Sequence, residues 1–194
     1  MIVALYGTNN IGKSVQAEML RARFESEGEK AEHVKFPLYD LSPTGPLINE
    51  YLRGGNPRAF TPREFQLLNI QNRLAFAPAL REKSAAAHIV LEDYTGTGIA
   101  WGIAAGVEKD LLVSLNKDIP APDIEILLDG ERFGTGHEEG HAHEENGTMQ
   151  RRVREILLSL ARENGWRIVR ANASKEDVHK EIWSVVESFL KKKI

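Results

Sequence analysis

Gly7-Thr8-Asn9-Asn10-Ile11-Gly12-Lys13-Ser14 reads G-x-x-x-x-G-K-S. The run before it, Ile2-Val3-Ala4-Leu5-Tyr6, is apolar and suited to a buried strand, and residues 15–27 carry apolar side chains at helical spacing. Strand, glycine loop and helix therefore come in the order this motif requires, which sets the first unit of the fold as strand, loop and helix. In that arrangement the backbone N–H groups from Gly7, Thr8, Asn9, Asn10, Ile11 and Gly12 through Lys13, Ser14 and Val15 wrap the phosphates of a nucleotide at a helix N-terminus. Lys13 adds a mobile positive charge, and the Ser14 hydroxyl can ligate Mg²⁺. The expected ligand is a nucleoside triphosphate.

The chain is long enough, at 194 residues, to bury a real core as one domain with at most a small lid. Its 25 Lys and Arg against 28 Asp and Glu leave a net charge of −3, which argues against a general nucleic-acid footprint. Basic residues are scattered apart from Lys191-Lys192-Lys193, read as a solvated helix end. Without cysteine there is no disulfide framework, thiolate metal site or thiol nucleophile. No apolar run approaches the roughly 18 residues that span a bilayer. The first strand begins at once, so no signal peptide is expected and a cytoplasmic enzyme is the expectation.

Apolar runs at residues 2–6, 33–36, 88–91, 124–128 and 166–169 predict five strands. Helical patterns lie between them, at residues 14–27, 44–52, 61–83, 97–106, 108–116, 147–164 and 174–192. Alternation of this kind predicts a three-layer α/β/α fold around a mainly parallel sheet. Thr61-Pro62-Arg63-Glu64 has the cap, first-turn proline and capping-box Glu of a helix start, and Pro78 is a place where that helix could bend. Residues 130–148 are rich in Gly, His and Glu and nearly free of apolar side chains, the composition of an exposed lid loop.

The same glycine loop serves GTPases, motor ATPases and kinases, so other residues must choose. Asn116-Lys117-Asp118 resembles the N-K-x-D guanine reader but lacks its spacer. The D-x-x-G switch is replaced by Glu92-Asp93-Tyr94-Thr95, and Asn116 is predicted to end a helix instead. Lys35-Phe36-Pro37 stands after the second strand, and Leu67-Leu68-Asn69-Ile70-Gln71-Asn72-Arg73 lies on the long helix. Glu92-Asp93-Tyr94-Thr95-Gly96-Thr97-Gly98-Ile99-Ala100-Trp101 closes the third strand. Leu127-Leu128-Asp129 precedes the lid, Gln150-Arg151-Arg152-Val153-Arg154 follows it, and Arg170-Ala171-Asn172-Ala173-Ser174 leads to the last helix. Six pieces in this order resemble the thymidylate kinase family of nucleoside monophosphate kinases over nearly the whole chain.

That resemblance implies phosphoryl transfer from ATP, with Mg²⁺, to a nucleoside monophosphate, dTMP first among the candidates. It implies Lys13, Arg73, Arg132 and Arg151 as catalytic residues and Ser14 and Glu92 at the metal. It places Lys35, Phe36, Asn69, Arg73, Asp93, Tyr94, Thr97 and Trp101 around the acceptor, and it implies a homodimer packed through helices. Phe36 and Trp101 also read as core aromatics, and both readings stay open. Neither nucleic acid nor membrane is an expected partner.

Four departures from the family pattern sit on the acceptor side. Asn9 replaces an Asp, Lys35 an Arg, Asp93 an Arg, and Asn69 the Phe that would stack on thymine. Gln66, Asn69 and Arg73 share a helix face, and amides read base edges where a Phe cannot, so a base other than thymine is an open alternative. A protein that binds ATP but has lost catalysis is another. His137, His141 and His143 in the lid have spacing compatible with a transition metal or with protonated His beside phosphate, although such runs are usually solvated.

Overall fold

The structure, a computed structural model, describes residues 1–131 and 147–192. Strands β1 (Ile2–Tyr6), β2 (Ala31–Lys35), β3 (His88–Glu92), β4 (Ile124–Asp129) and β5 (Arg167–Arg170) form one sheet in the order β2-β3-β1-β4-β5. Every ladder in it is parallel. The helices are α1 (Lys13–Ser26), α2 (Thr44–Arg53), α3 (Pro62–Ala86), α4 (Thr95–Ala104), α5 (Lys109–Asn116), α6 (Gly147–Asn164) and α7 (Lys175–Lys192).

Strand alternation builds the layers. Val3 and Leu5 face α1 and α7, packing with Leu20, Phe24, Ile182 and Val186. Ile2, Ala4 and Tyr6 face α3, α4 and α6, packing with Ile70, Trp101, Val153 and Leu157. A sheet covered on both faces makes its central strands continuous apolar runs, which is why β1 and β3 are legible as such. A smaller cluster of Ile48, Leu52 and Phe65 joins α2 to α3.

Helix α3 starts as its sequence predicts: Glu64 N–H donates to the Thr61 hydroxyl at 3.3 Å, and Thr61 N–H donates to Glu64 Oε2 at 2.8 Å. Pro78 does not end it; the helix continues to Ala86, with Ala77 and Leu80 buried on either side of the proline. Asn116 closes α5, its amide donating to the Leu112 carbonyl at 2.7 Å, so the guanine-reader spacing is a helix end. No described helix is long and apolar enough to cross a membrane.

The order of the strands locates the site. From β1 the chain crosses one way to β2, and from β3 it crosses the other way to β4. The carboxyl ends of the neighbours β1 and β3 therefore border a topological switch point, where open parallel sheets bind ligands. The glycine loop leaves β1 there, and Glu92-Asp93 leaves β3 beside it.

Candidate active site

At that switch point lies a cavity of about 410 Å³. Asn9, Asn10, Gly12, Lys13, Ser14 and Val15 line one end, and Arg73, Thr97, Gly98 and Trp101 the other, with Glu92 and Asp93 between them. Gly12 adopts φ +92° directly before α1, a left-handed turn that aims the loop at the helix N-terminus. Gly7, Thr8 and Ile11 do not line the cavity; Ile11 packs in the core, and the Thr8 carbonyl accepts the Lys13 ammonium at 2.8 Å.

Two carboxylates converge on this ammonium and on Ser14. The Ser14 hydroxyl donates to Glu92 Oε1 at 2.7 Å, and Lys35 Nζ lies 3.1 Å from the same oxygen. Burial alone would raise the Glu92 pKa, but bonds from His33 and Ser14 and the charges of Lys35 and Lys13 outweigh it and hold it down to about 2. Asp93 has φ +57° and sits 3.6 Å from Lys13 Nζ, with the Thr97 hydroxyl donating to its Oδ1 at 3.1 Å. Its pKa moves up, because burial and the neighbouring Glu92 charge outweigh Lys13. The Ser14 hydroxyl beside an ionised carboxylate is a hard oxygen pair of the kind Mg²⁺ takes beside nucleotide phosphates, so these residues fit that ion.

The end of the cavity away from the glycine loop is walled by Phe36, Leu52, Phe65 and Trp101. Phe36 and Trp101 serve both readings: each is buried in the core and each lines the cavity. Arg73 is buried at 4% exposure, with Nε and Nη1 lacking any partner among the described residues. Burial lowers its pKa from the ordinary guanidinium range to about 10, against the opposing pull of Tyr94, Tyr6 and Asp93. Gly98 gives the guanidinium its room, since a Cβ there would lie 2.7 Å from Nη2. The Asn69 amide donates to the Phe65 carbonyl at 2.9 Å, which leaves the amide oxygen as the group it offers a ligand.

Other expected residues fall elsewhere. Tyr94 is wholly buried, its hydroxyl donating to the Pro120 carbonyl at 3.1 Å, so it supports the site from the core and does not line the cavity. Arg151 lies on the exposed first turn of α6, 3.4 Å from the Thr148 hydroxyl, and is not among the cavity residues. Arg154 makes a paired contact to Asp129 at 2.6 and 3.0 Å. Arg132, His137, His141 and His143 lie outside the described residues. Tyr39, Leu52, Arg53 and Phe65 line the cavity without having been read from the sequence. Phe65 carried a signal, since it lies four residues before Asn69 and eight before Arg73, on their helix face. It stacks on Tyr51 at 3.7 Å, putting an aromatic ring one turn from the position where the resemblance had lost one. Asn72, beside Arg73, is a strut: its amide oxygen accepts from Leu38 N–H at 2.9 Å and its nitrogen donates to the Leu38 carbonyl at 3.0 Å, tying the Phe36-Pro37 segment to α3.

A family model described as thymidylate kinase matches residues 5–182. Among curated relatives, a probable thymidylate kinase of Thermococcus onnurineus is 30% identical over 207 residues, covering 100% of each chain. A thymidylate kinase of Dictyostelium discoideum is 26% identical, over 99% of this chain and 87% of its own. In three dimensions the chain is similar to a thymidylate kinase of broad substrate specificity from Candida albicans, with TM-score 0.81 and 25% identity over 96% of this chain and 91% of that one.

Proposed function

This chain belongs to the thymidylate kinase family of ATP-dependent nucleotide kinases, and from that premise we propose that it transfers the γ-phosphoryl group of ATP to dTMP, giving ADP and dTDP. The cavity that joins the glycine loop to the Arg73 guanidinium, unpartnered at two nitrogens among the described residues, carries this reading. Phosphoryl transfer asks a protein mainly to place two anionic substrates in line and to offset their charge. An oxygen of the acceptor phosphate attacks Pγ as the bond from Pγ to the β,γ-bridging oxygen breaks.

The loop amides and Lys13 hold the triphosphate, for which Lys13 leaves the Thr8 carbonyl and Asp93. Ser14 and Glu92 would hold Mg²⁺, which would supply charge neutralisation for the phosphates. Arg73, with donors only, takes an oxygen of the acceptor nucleotide, and Lys35 adds positive charge at the cavity mouth. Phe36, Phe65 and Trp101 offer apolar faces to base and sugar, and the Asn69 amide oxygen suits an N–H on the base edge. Arg132 and Arg151 belong to the proposal as the residues whose charge offsets that of the transferring group. Family membership also supports a homodimer, which sedimentation of the purified protein tests.

The departures at Asn9, Lys35, Asn69 and Asp93 favour one second reading, a different nucleoside monophosphate as acceptor. ADP release from ATP and Mg²⁺ across a panel of ribo- and deoxynucleoside monophosphates decides between them. Fastest turnover with dTMP is expected. Turnover with another acceptor alone would replace dTMP, and bound ATP without turnover would mark a binder that has lost catalysis.

A further inference from the structure

His33 lies on β2, next to β3, and takes no part in lining the cavity. Its two ring nitrogens nevertheless join the site to the helix that follows the glycine loop. Nε2 is 3.1 Å from Glu92 Oε2, and Nδ1 is 2.8 Å from Glu18 Oε1. Glu18 stands four residues after Ser14 on α1, so the two share a helix face. Ser14 in turn donates to the other Glu92 oxygen at 2.7 Å. The contacts therefore close a ring: Ser14, Glu92, His33, Glu18, and back along one turn of α1.

Glu92 needs such a brace. A Glu has one more side-chain torsion than an Asp, and this one is 1% exposed at the end of a strand. Ser14 reaches Oε1 only while the carboxylate keeps its present plane. Lys35 also contacts Oε1, but its side chain is 57% exposed on a flexible stem and fixes no orientation. The imidazole is rigid, half-buried and tied at both ends, and it contacts Oε2. Lys35 also reaches the Ser14 hydroxyl, at 3.3 Å, so both of those contacts gather at Oε1. Without the imidazole Oε2 loses its contact, and the plane of the carboxylate is no longer fixed about Oε1.

We propose that His33 is a positioning residue of the phosphoryl-transfer site, holding the Glu92 carboxylate against Ser14 so that the two together receive the divalent cation that accompanies the triphosphate. The inference rests on the reading of Ser14 and Glu92 as the metal pair. Residues that orient a metal-binding carboxylate typically change metal affinity or activity by roughly 10–100-fold when removed.

The test compares wild type, His33→Leu, His33→Gln and Glu18→Gln by calorimetric titration of ATP with and without Mg²⁺, and by turnover against free Mg²⁺. His33→Leu is expected to bind metal-free ATP like wild type. Its gain in ATP affinity on adding Mg²⁺ should shrink, and the Mg²⁺ concentration for half-maximal turnover should rise by roughly tenfold or more. The KM for the monophosphate should stay put. His33→Gln, which keeps an N–H donor for Glu92, should recover most of the Mg²⁺ response. Glu18→Gln loosens the far end only, should shift it in the same direction by less, and serves as the test if the His33→Leu variant fails to fold. A wild-type Mg²⁺ response in His33→Leu would overturn the proposal. So would equal losses in every constant together with lower thermal stability and no recovery by Gln. If wild-type protein itself binds ATP without responding to Mg²⁺, the metal reading fails first, and the role of His33 falls with it.

Discussion

The Arg73 guanidinium lies at 4% exposure among Gly98, Tyr94 and Asp93, with Nε and Nη1 unpartnered among the described residues and its pKa lowered by burial to about 10. The sign follows from linkage: a cation whose folded pKa lies below its ordinary value costs stability at every pH below about 10, and the cost fades only as pH rises from there toward the ordinary value. In the proposed reading a bound acceptor nucleotide would remove the cost at neutral pH by supplying an oxygen to the guanidinium. Arg73→Met should therefore be more stable than wild type by roughly 1–3 kcal/mol while losing acceptor binding. Thermal melting and titration with monophosphate check the two halves; a variant less stable than wild type would mean the guanidinium is already satisfied. Asp93 makes a second residue-scale case. Its carboxylate lies 3.6 Å from Lys13 Nζ and, in the proposed reading, would compete with phosphate for that ammonium. Asp93→Asn should tighten ATP binding severalfold, on the order of 1 kcal/mol, whereas weaker binding would show that Asp93 orients Lys13 for the nucleotide. The glycine loop itself was legible because its residues are contiguous. The contacts that tune it were not, since Lys13–Asp93 and His33–Glu92 join positions far apart in the chain that only strand pairing brings together.

Between elements, α4 approaches α3 through Gly98, and that closeness keeps the Arg73 guanidinium at the cavity. A Cβ at position 98 would stand 2.7 and 2.8 Å from Nη2 and Nη1, while the rest of the helix has no need of glycine there. Gly98→Ala should accordingly raise the monophosphate KM by tenfold or more, about 1.4 kcal/mol, and leave ATP binding unchanged, although Ala favours helix by about 1 kcal/mol over Gly. Steady-state kinetics with each substrate varied in turn checks it, and equal effects on both would show a general disturbance of the fold. Element existence was plain in the sequence because β1, β3 and β4 are buried and read as apolar runs. The edge strands were harder. β2 begins at Ala31 rather than residue 33, since an edge strand pairs on one side and tolerates the polar Glu32. β5, Arg167–Arg170, is likewise mostly exposed, and its pattern marks one buried residue, Val169. The capping box of α3 was legible to the residue, as caps are local, but the length of that helix past Pro78 was set by packing of Ala77 and Leu80 in the core.

At the scale of the molecule, both substrates are expected to meet at one switch point, yet they depend on different elements. The end proposed for the triphosphate rests on β1, the glycine loop and α1, and the end proposed for the acceptor on α2, α3 and α4. Ligand that binds only the folded state stabilises it by RT ln(1 + [L]/Kd), about 2.7 kcal/mol at a hundredfold excess over Kd. For a chain of this size that is a rise in melting temperature of roughly 5–11 °C, taking about 2–4 °C per kcal/mol. Lys13→Ala should lose the rise produced by ATP and keep the one produced by dTMP; Arg73→Met should do the reverse. Loss of both rises in either variant would mean that the two ends of the cavity form as one cooperative unit, which a change at either end disrupts. Retention of the separate pattern would place their coupling in the transfer step alone, where Glu92 and Asp93 lie between the two ends.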